Sequence, residues 1–160
     1  MLLQTTAEKL RAVGVETLGI VGSEVERVRF YFRFRPVRGA VGADPDLTTH
    51  RAYGLPQSPV RPEIWHAIES ACGNLARELG MQVREGTARE TIGRLDGFEP
   101  TESEQAEFQR HQIQFTGQFL VDRDGIVRWS NVEAAKEGLA GVDKFPSDEE
   151  LLAAARALPT

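Results

Sequence analysis

The chain is predicted to fold as one α/β domain, and three observations carry that prediction. Over residues 2–53, helical and strand-like stretches alternate as helix, strand, helix, strand, helix, an order that gives α/β layers rather than a helical bundle or a β-sandwich. Phe115 to Glu133 reads as two short β-rich runs, Phe119-Leu120-Val121 and Ile126-Val127-Arg128-Trp129. They are joined by Asp122-Arg123-Asp124-Gly125, whose Asp and Gly residues suit the bends of an antiparallel hairpin. A lone hairpin is marginal in water, so these strands need a larger sheet or covering helices. Finally, Ser147 and Glu150 have capping-box spacing ahead of an apolar stripe of Leu151, Leu152, Ala155 and Leu158. With 160 residues the chain is long enough for one ordinary core and short for two.

In order, residues 2–12 are predicted as a helix with Leu3, Leu10 and Val13 near one face, broken by Gly14. Val15 to Val21 follows as a strand with Leu18, Ile20 and Val21 buried. Ser23 is a plausible cap for a second helix whose inner face is Val25, Val28 and Phe32, and Phe30, Tyr31 and Phe34 are expected to broaden that face over a sheet. Pro36 ends the helix, Val37 to Ala43 forms a strand, and Asp44-Pro45-Asp46 makes a turn that caps a brief helix reaching Tyr53. Pro62 opens a helix in which Trp65, Ile68, Cys72, Leu75 and Leu79 recur at three- and four-residue intervals. Thr87 with Glu90, and Thr101 with Glu104, predict capped helices near 88–95 and 102–110, separated by Gly97 and Pro100. Residues from about 56 to 113 are thus expected to form a helical insertion within a single domain spanning 1–160. Asn131 to Leu139 is expected to include a helical turn.

A formal charge of -5 argues against a general nucleic-acid binder, which needs a concentrated positive surface. Arg27, Arg29, Arg33, Arg35 and Arg38 make one basic tract, read first as a solvated helix face and second as a local anion-binding patch. The single cysteine excludes an internal disulfide and fits a reducing, cytoplasmic setting. No signal peptide and no membrane-length apolar run is read.

Asp44-Pro45-Asp46, Tyr53-Gly54-Leu55, Gly117-Gln118-Phe119-Leu120-Val121-Asp122-Arg123-Asp124-Gly125 and Pro146-Ser147-Asp148-Glu149-Glu150-Leu151-Leu152, in that order and spacing, resemble the peroxiredoxin-like branch of the AhpC/TSA family. The resemblance covers roughly residues 8–55 and 113–158. It implies a thioredoxin-like mixed β-sheet with flanking helices, and thiol-dependent peroxide reduction in which a thiolate becomes a sulfenic acid and another thiol restores it. The partners it implies are a peroxide and an external thiol reductant.

The departures from that pattern bear on the chemistry. The family's reactive cysteine follows its first core strand, and Met1 to Val13 contains neither. The arginine usual before the hairpin is absent from Gln114-Phe115-Thr116-Gly117, and no cis-proline of the thioredoxin type is supplied there. The absent strand would lie centrally in the sheet, between Val15–Val21 and the first hairpin strand. Three arrangements stay open: a rearranged sheet, a homodimer or swap that supplies the strand, or a natural start farther upstream.

Cys72 is the one cysteine available as a catalytic nucleophile, with His66 or His50 as a proton acceptor if folded nearby. The opposing reading is an inert core cysteine on the Trp65 stripe. His50, His66 and His111 match no compact zinc spacing, so no metal is predicted. Asp44 with Asp46, and Asp122 with Asp124, read as turn formers before acid–base pairs. Trp65 and Trp129 fit packing positions as readily as a ligand groove. The glycines form neither a P-loop nor a dinucleotide fingerprint, and no cofactor is predicted. Two functions follow: a peroxiredoxin-like redox protein without the usual peroxidatic cysteine, or a non-enzymatic thioredoxin-like interaction or structural protein.

Overall fold

The computed structural model describes residues 2–34, 36–95 and 101–159. Its first elements are α1 (Leu2–Ala12), β1 (Leu18–Val21), α2 (Val25–Phe34), β2 (Ala40–Ala43) and α3 (Thr48–Ala52). There follow β3 (Gln57–Ser58), α4 (Pro62–Glu78), α5 (Ala88–Leu95), α6 (Glu102–His111) and β4 (Ile113–Gln114). The chain closes with β5 (Gly117–Val121), β6 (Val127–Val132), a 3-10 turn at Gly138–Gly141, and α7 (Asp148–Arg156). This is a mixed α/β protein. Among the described residues its strands pair as three two-stranded sheets, β1–β2, β3–β4 and β5–β6, and not as one mixed sheet. The expected separators Gly97 and Pro100 lie outside the described residues.

The chain divides into two compact units. The first comprises Met1–Leu55, Gly117–Asn131 and Pro146–Thr160; the second comprises Pro56–Thr116 and Val132–Phe145. In the first, α1 packs against α7, and α2 against β2. Leu10, Leu120, Leu151 and Ala155 are buried together, with Val13, Val15, Trp129, Leu152 and Leu158 around them. Each buried leucine contributes about 2 kcal/mol through its removal from water. Thr6 Oγ1 donates to Asp148 Oδ1 at 2.6 Å, and Lys9 Nζ to Asp148 Oδ2, so polar contacts also join the two helices.

β1 and β2 run parallel, with Leu18 opposite Ala40 and Val21 opposite Ala43. The expectation that Leu18, Ile20 and Val21 are buried fails: Leu18 is 62% exposed and the other two are half-buried. Parallel strands are ordinarily covered on both faces, whereas this pair gains no third strand among the described residues. Among the α2 residues whose burial is described only Val28 is buried, while Val25, Phe30 and Tyr31 are exposed. At about 100° per residue Phe30 stands on the side opposite Val28, whereas Tyr31, three residues on from Val28, lies on the same side and is exposed there.

Between β2 and α3, Leu47 occupies the left-handed region at φ 54° with its side chain only 1% exposed. A Cβ at Gly22 would collide with that side chain, so the glycine is required by close approach. Asp122 Oδ1 accepts the amides of Asp124 and Ile126, both at 2.9 Å, and Gly125 at φ 80° completes the hairpin turn.

In the second unit α4 packs against α5 and the 3-10 turn. The buried side of α4 carries Ile64 and Ala76, with Ile68 and Cys72 half-buried between them. The predicted stripe is thereby corrected, since Leu75 and Leu79 are exposed. The next helix starts where expected, but by another device. Glu69 of α4 accepts the amides of Ala88 and Arg89, while the Thr87 hydroxyl donates to the Arg84 carbonyl. Thr101 and Glu104 do form the predicted capping box. β3 and β4 pair antiparallel, Gln57 opposite Gln114, and each is too short to leave a periodic signal in the sequence.

Candidate functional site

Cys72 lies in the C-terminal half of α4, away from the helix N-terminus that lowers a thiol's pKa. It is half-buried and free. Burial pushes the thiol pKa up, the carboxylates of Glu69 and Asp143 push it further, and only the Arg89 guanidinium and the local backbone oppose them. The charges that act on the thiol are these three, and neither His66 nor His50 is among them. His66 is exposed on α4, and His50 engages a different carboxylate. Glu69, Arg89 and Asp143 are separated in sequence, and no motif announced them.

Asp143 sits just after the 3-10 turn, and its carboxyl is also pushed up, by burial first and then by Glu133 and Glu78. Its amide donates to Glu133 Oε1 at 2.9 Å, which holds the 132–145 segment in place. Beside it a cleft of about 610 Å³ opens, lined by His66, Ser70, Asn74 and Glu78 of α4 and by Asp143 and Lys144. Lys144 pairs with Glu137.

Arg89 also lies over the Trp65 ring, 4.4 Å from its centroid, and Phe108 stands 6.4 Å from Trp65 on the other helix. Trp65 is therefore half-buried in a cation–π and aromatic cluster. Trp129 packs against the Leu10 core.

Asp44 is the most heavily bonded carboxylate described. Its Oδ1 accepts Thr48 N–H at 2.8 Å, its Oδ2 accepts Thr49 N–H at 2.8 Å and His50 N–H at 3.3 Å, and His50 Nδ1 lies 3.1 Å from Oδ2. Burial alone would raise its pKa, but the His50 ring and the amides of Thr48, His50 and Thr49 outweigh it and bring the carboxyl to about 2. A carboxylate so held remains ionised and caps the start of α3, as its turn sequence suggested. It is unsuited to act as a general acid.

Arg128 Nε donates to Asp122 Oδ2, and with the Ile126 amide this holds Asp122 below the usual carboxylate range. Among the described residues no group of three or more His, Cys, Asp or Glu side chains is placed to hold a metal ion. No helix there is long and apolar enough to cross a membrane. In comparisons with protein-family models, curated proteins and solved structures, the chain matches none.

Proposed function

We propose that this is a peroxiredoxin-like protein of the thioredoxin-like class, and that the chain acts as a non-enzymatic interaction or structural module. The environment of Cys72 carries this reading. Peroxide reduction needs a thiolate, and burial, Glu69 and Asp143 together favour the neutral thiol over the charged form. Two further features support an interaction role. The β1–β2 and β5–β6 pairs lie in separate sheets among the described residues, and such edges accept strands from other chains. Leu18, Phe30 and Tyr31 are exposed in the same unit. A homodimer is one arrangement that covers them, in a reducing cytoplasm where a lone cysteine stays free.

The second reading is a thiol peroxidase built on Cys72, favoured by the thiol's incomplete burial and by Arg89 beside it. In that chemistry the thiolate sulfur attacks one peroxide oxygen, the O–O bond breaks, and hydroxide or alkoxide leaves. The sulfenic acid is then reduced by two external thiol equivalents, giving water and a disulfide. The test is reductant-dependent consumption of hydrogen peroxide by the wild-type chain beside Cys72→Ser, with folding compared by circular dichroism. The module reading expects no turnover from either protein. Turnover that disappears in the folded variant establishes the peroxidase and overturns it.

A further inference from the structure

We propose that the cleft between α4 and the 138–144 segment is a binding site for an aliphatic polyamine, a linear molecule whose ammonium groups are separated by methylene stems. Such a site goes beyond the interaction-module reading and depends neither on open strand edges nor on the reactivity of Cys72. Every residue lining the cleft belongs to the second unit. Its volume of about 610 Å³ lies within the range of small-molecule pockets.

Shape points to a long, narrow ligand. His66, Ser70, Asn74 and Glu78 recur at four-residue intervals, so they form one polar row along about 18 Å of α4. Ala67 and Ala71 line the cleft beside that row, and their small side chains leave room for a methylene chain. The 3-10 turn packs against α4, and Leu139 and Val142 give the other side of the cleft an apolar surface.

Charge selects a cation. At one end Glu63 is engaged by Arg61 at 3.7 Å, and the Lys144 ammonium by Glu137. Arg77 turns to the Gly73 carbonyl and Asn74 Oδ1 and does not line the cleft. Glu78 and Asp143 are left without an ion-pair partner among the described residues, and Asp143 feels the carboxylates of Glu133 and Glu78 with no cation to offset them. The Asp143 backbone, in the left-handed region at φ 63° and bonded through its amide to Glu133 Oε1, holds the carboxyl there. An ammonium group beside Glu78 and Asp143 relieves the repulsion between them. The Ser70 hydroxyl makes no hydrogen bond among the described residues and offers an acceptor to the next amine along the row. A divalent metal is disfavoured, since it needs several converging oxygen ligands and no group of three His, Cys, Asp or Glu side chains is so placed among the described residues.

The experiment is isothermal titration calorimetry of the full chain with spermidine, beside magnesium chloride at matched ionic strength and glutarate. The expected result is saturable spermidine binding with a Kd below about 1 mM, weakened by salt, with magnesium weaker and glutarate silent. Glu78→Gln and Asp143→Asn should each weaken spermidine about three- to fivefold. Ala71→Phe, which fills the cleft, should abolish binding in a chain that circular dichroism shows to be folded; if it does not fold, the two charge variants decide. Glu149→Gln removes the same charge from α7 and should leave binding unchanged. Absence of binding, magnesium binding as tightly as spermidine, or losses no greater in Glu78→Gln and Asp143→Asn than in Glu149→Gln overturns the proposal. None of these outcomes bears on the Cys72 peroxide assay, so the two readings stand or fall separately.

Discussion

A single carboxylate, that of Asp143, couples the segment after the 3-10 turn to the Cys72 thiol. Its own pKa is raised by burial and by Glu133 and Glu78. The sign of its linkage follows. An acid whose folded pKa lies above its unfolded value favours the folded state while protonated, and that advantage is lost as pH rises through the folded pKa. Asp143→Asn is therefore expected to match or exceed wild-type stability at neutral pH, with the difference vanishing in acid. Removing the charge also takes away one cause of the raised thiol pKa, so Cys72 should react faster with iodoacetamide at pH 7.5 to 8. Unchanged or slower alkylation in a folded Asp143→Asn protein means the carboxylate does not act on the thiol. This site was only half legible. Cys72 was visible as the sole cysteine on an apolar stripe, but Glu69, Arg89 and Asp143 converge on it through tertiary packing that leaves no spacing to read.

Capping is where the elements were most legible, because the donors and acceptors concerned lie within four residues of each other. Ser147–Glu150 and Thr101–Glu104 both close as capping boxes. Their consequences differ, since α7 buries Leu151 and Ala155 whereas α6 buries no residue. Ser147→Ala should lower global stability by about 1 kcal/mol, read as a shift in the urea midpoint. Thr101→Ala removes the same kind of bond from a helix with little at stake in the core. It should speed amide exchange in α6 while moving the global midpoint less. A larger midpoint shift from Thr101→Ala would contradict the burial difference. The third predicted box, at Thr87, shows the limit of local patterns: Glu69, nineteen and twenty residues away, accepts the Ala88 and Arg89 amides at the start of the helix, and the threonine hydroxyl turns to the Arg84 carbonyl. On α2 the expected burial of Phe30 and Tyr31 over a sheet fails, since both rings are exposed and only two strands pair beside the helix among the described residues.

Across the whole molecule, Asp44, Asp122 and Asp148 all have lowered pKa values, through His50 and the α3 amides, through Ile126 and Arg128, and through Lys9 and Thr6 respectively, with burial acting against each. Lowered carboxylates contribute stability that is complete above their unfolded pKa and is lost as pH falls through the folded one. The urea midpoint should therefore drop from about pH 4 towards pH 2, and Asp44→Asn, already weakened at neutral pH, should show a shallower drop. A wild-type midpoint that stays flat over that range would refute the assignment. The α/β class was legible because alternation is a local pattern, whereas division into three two-stranded sheets depends on pairings between distant segments. A distant contact of another kind, between α1 and α7, bears on how the chain folds as it is made. The bond from Thr6 to Asp148 spans 142 positions, and translation at roughly 5–20 residues per second leaves α1 waiting on the order of ten seconds for α7. Throughout that interval Leu10 has no Leu151 to cover it, so the emerging chain presents α1 as an amphipathic helix that a chaperone can hold.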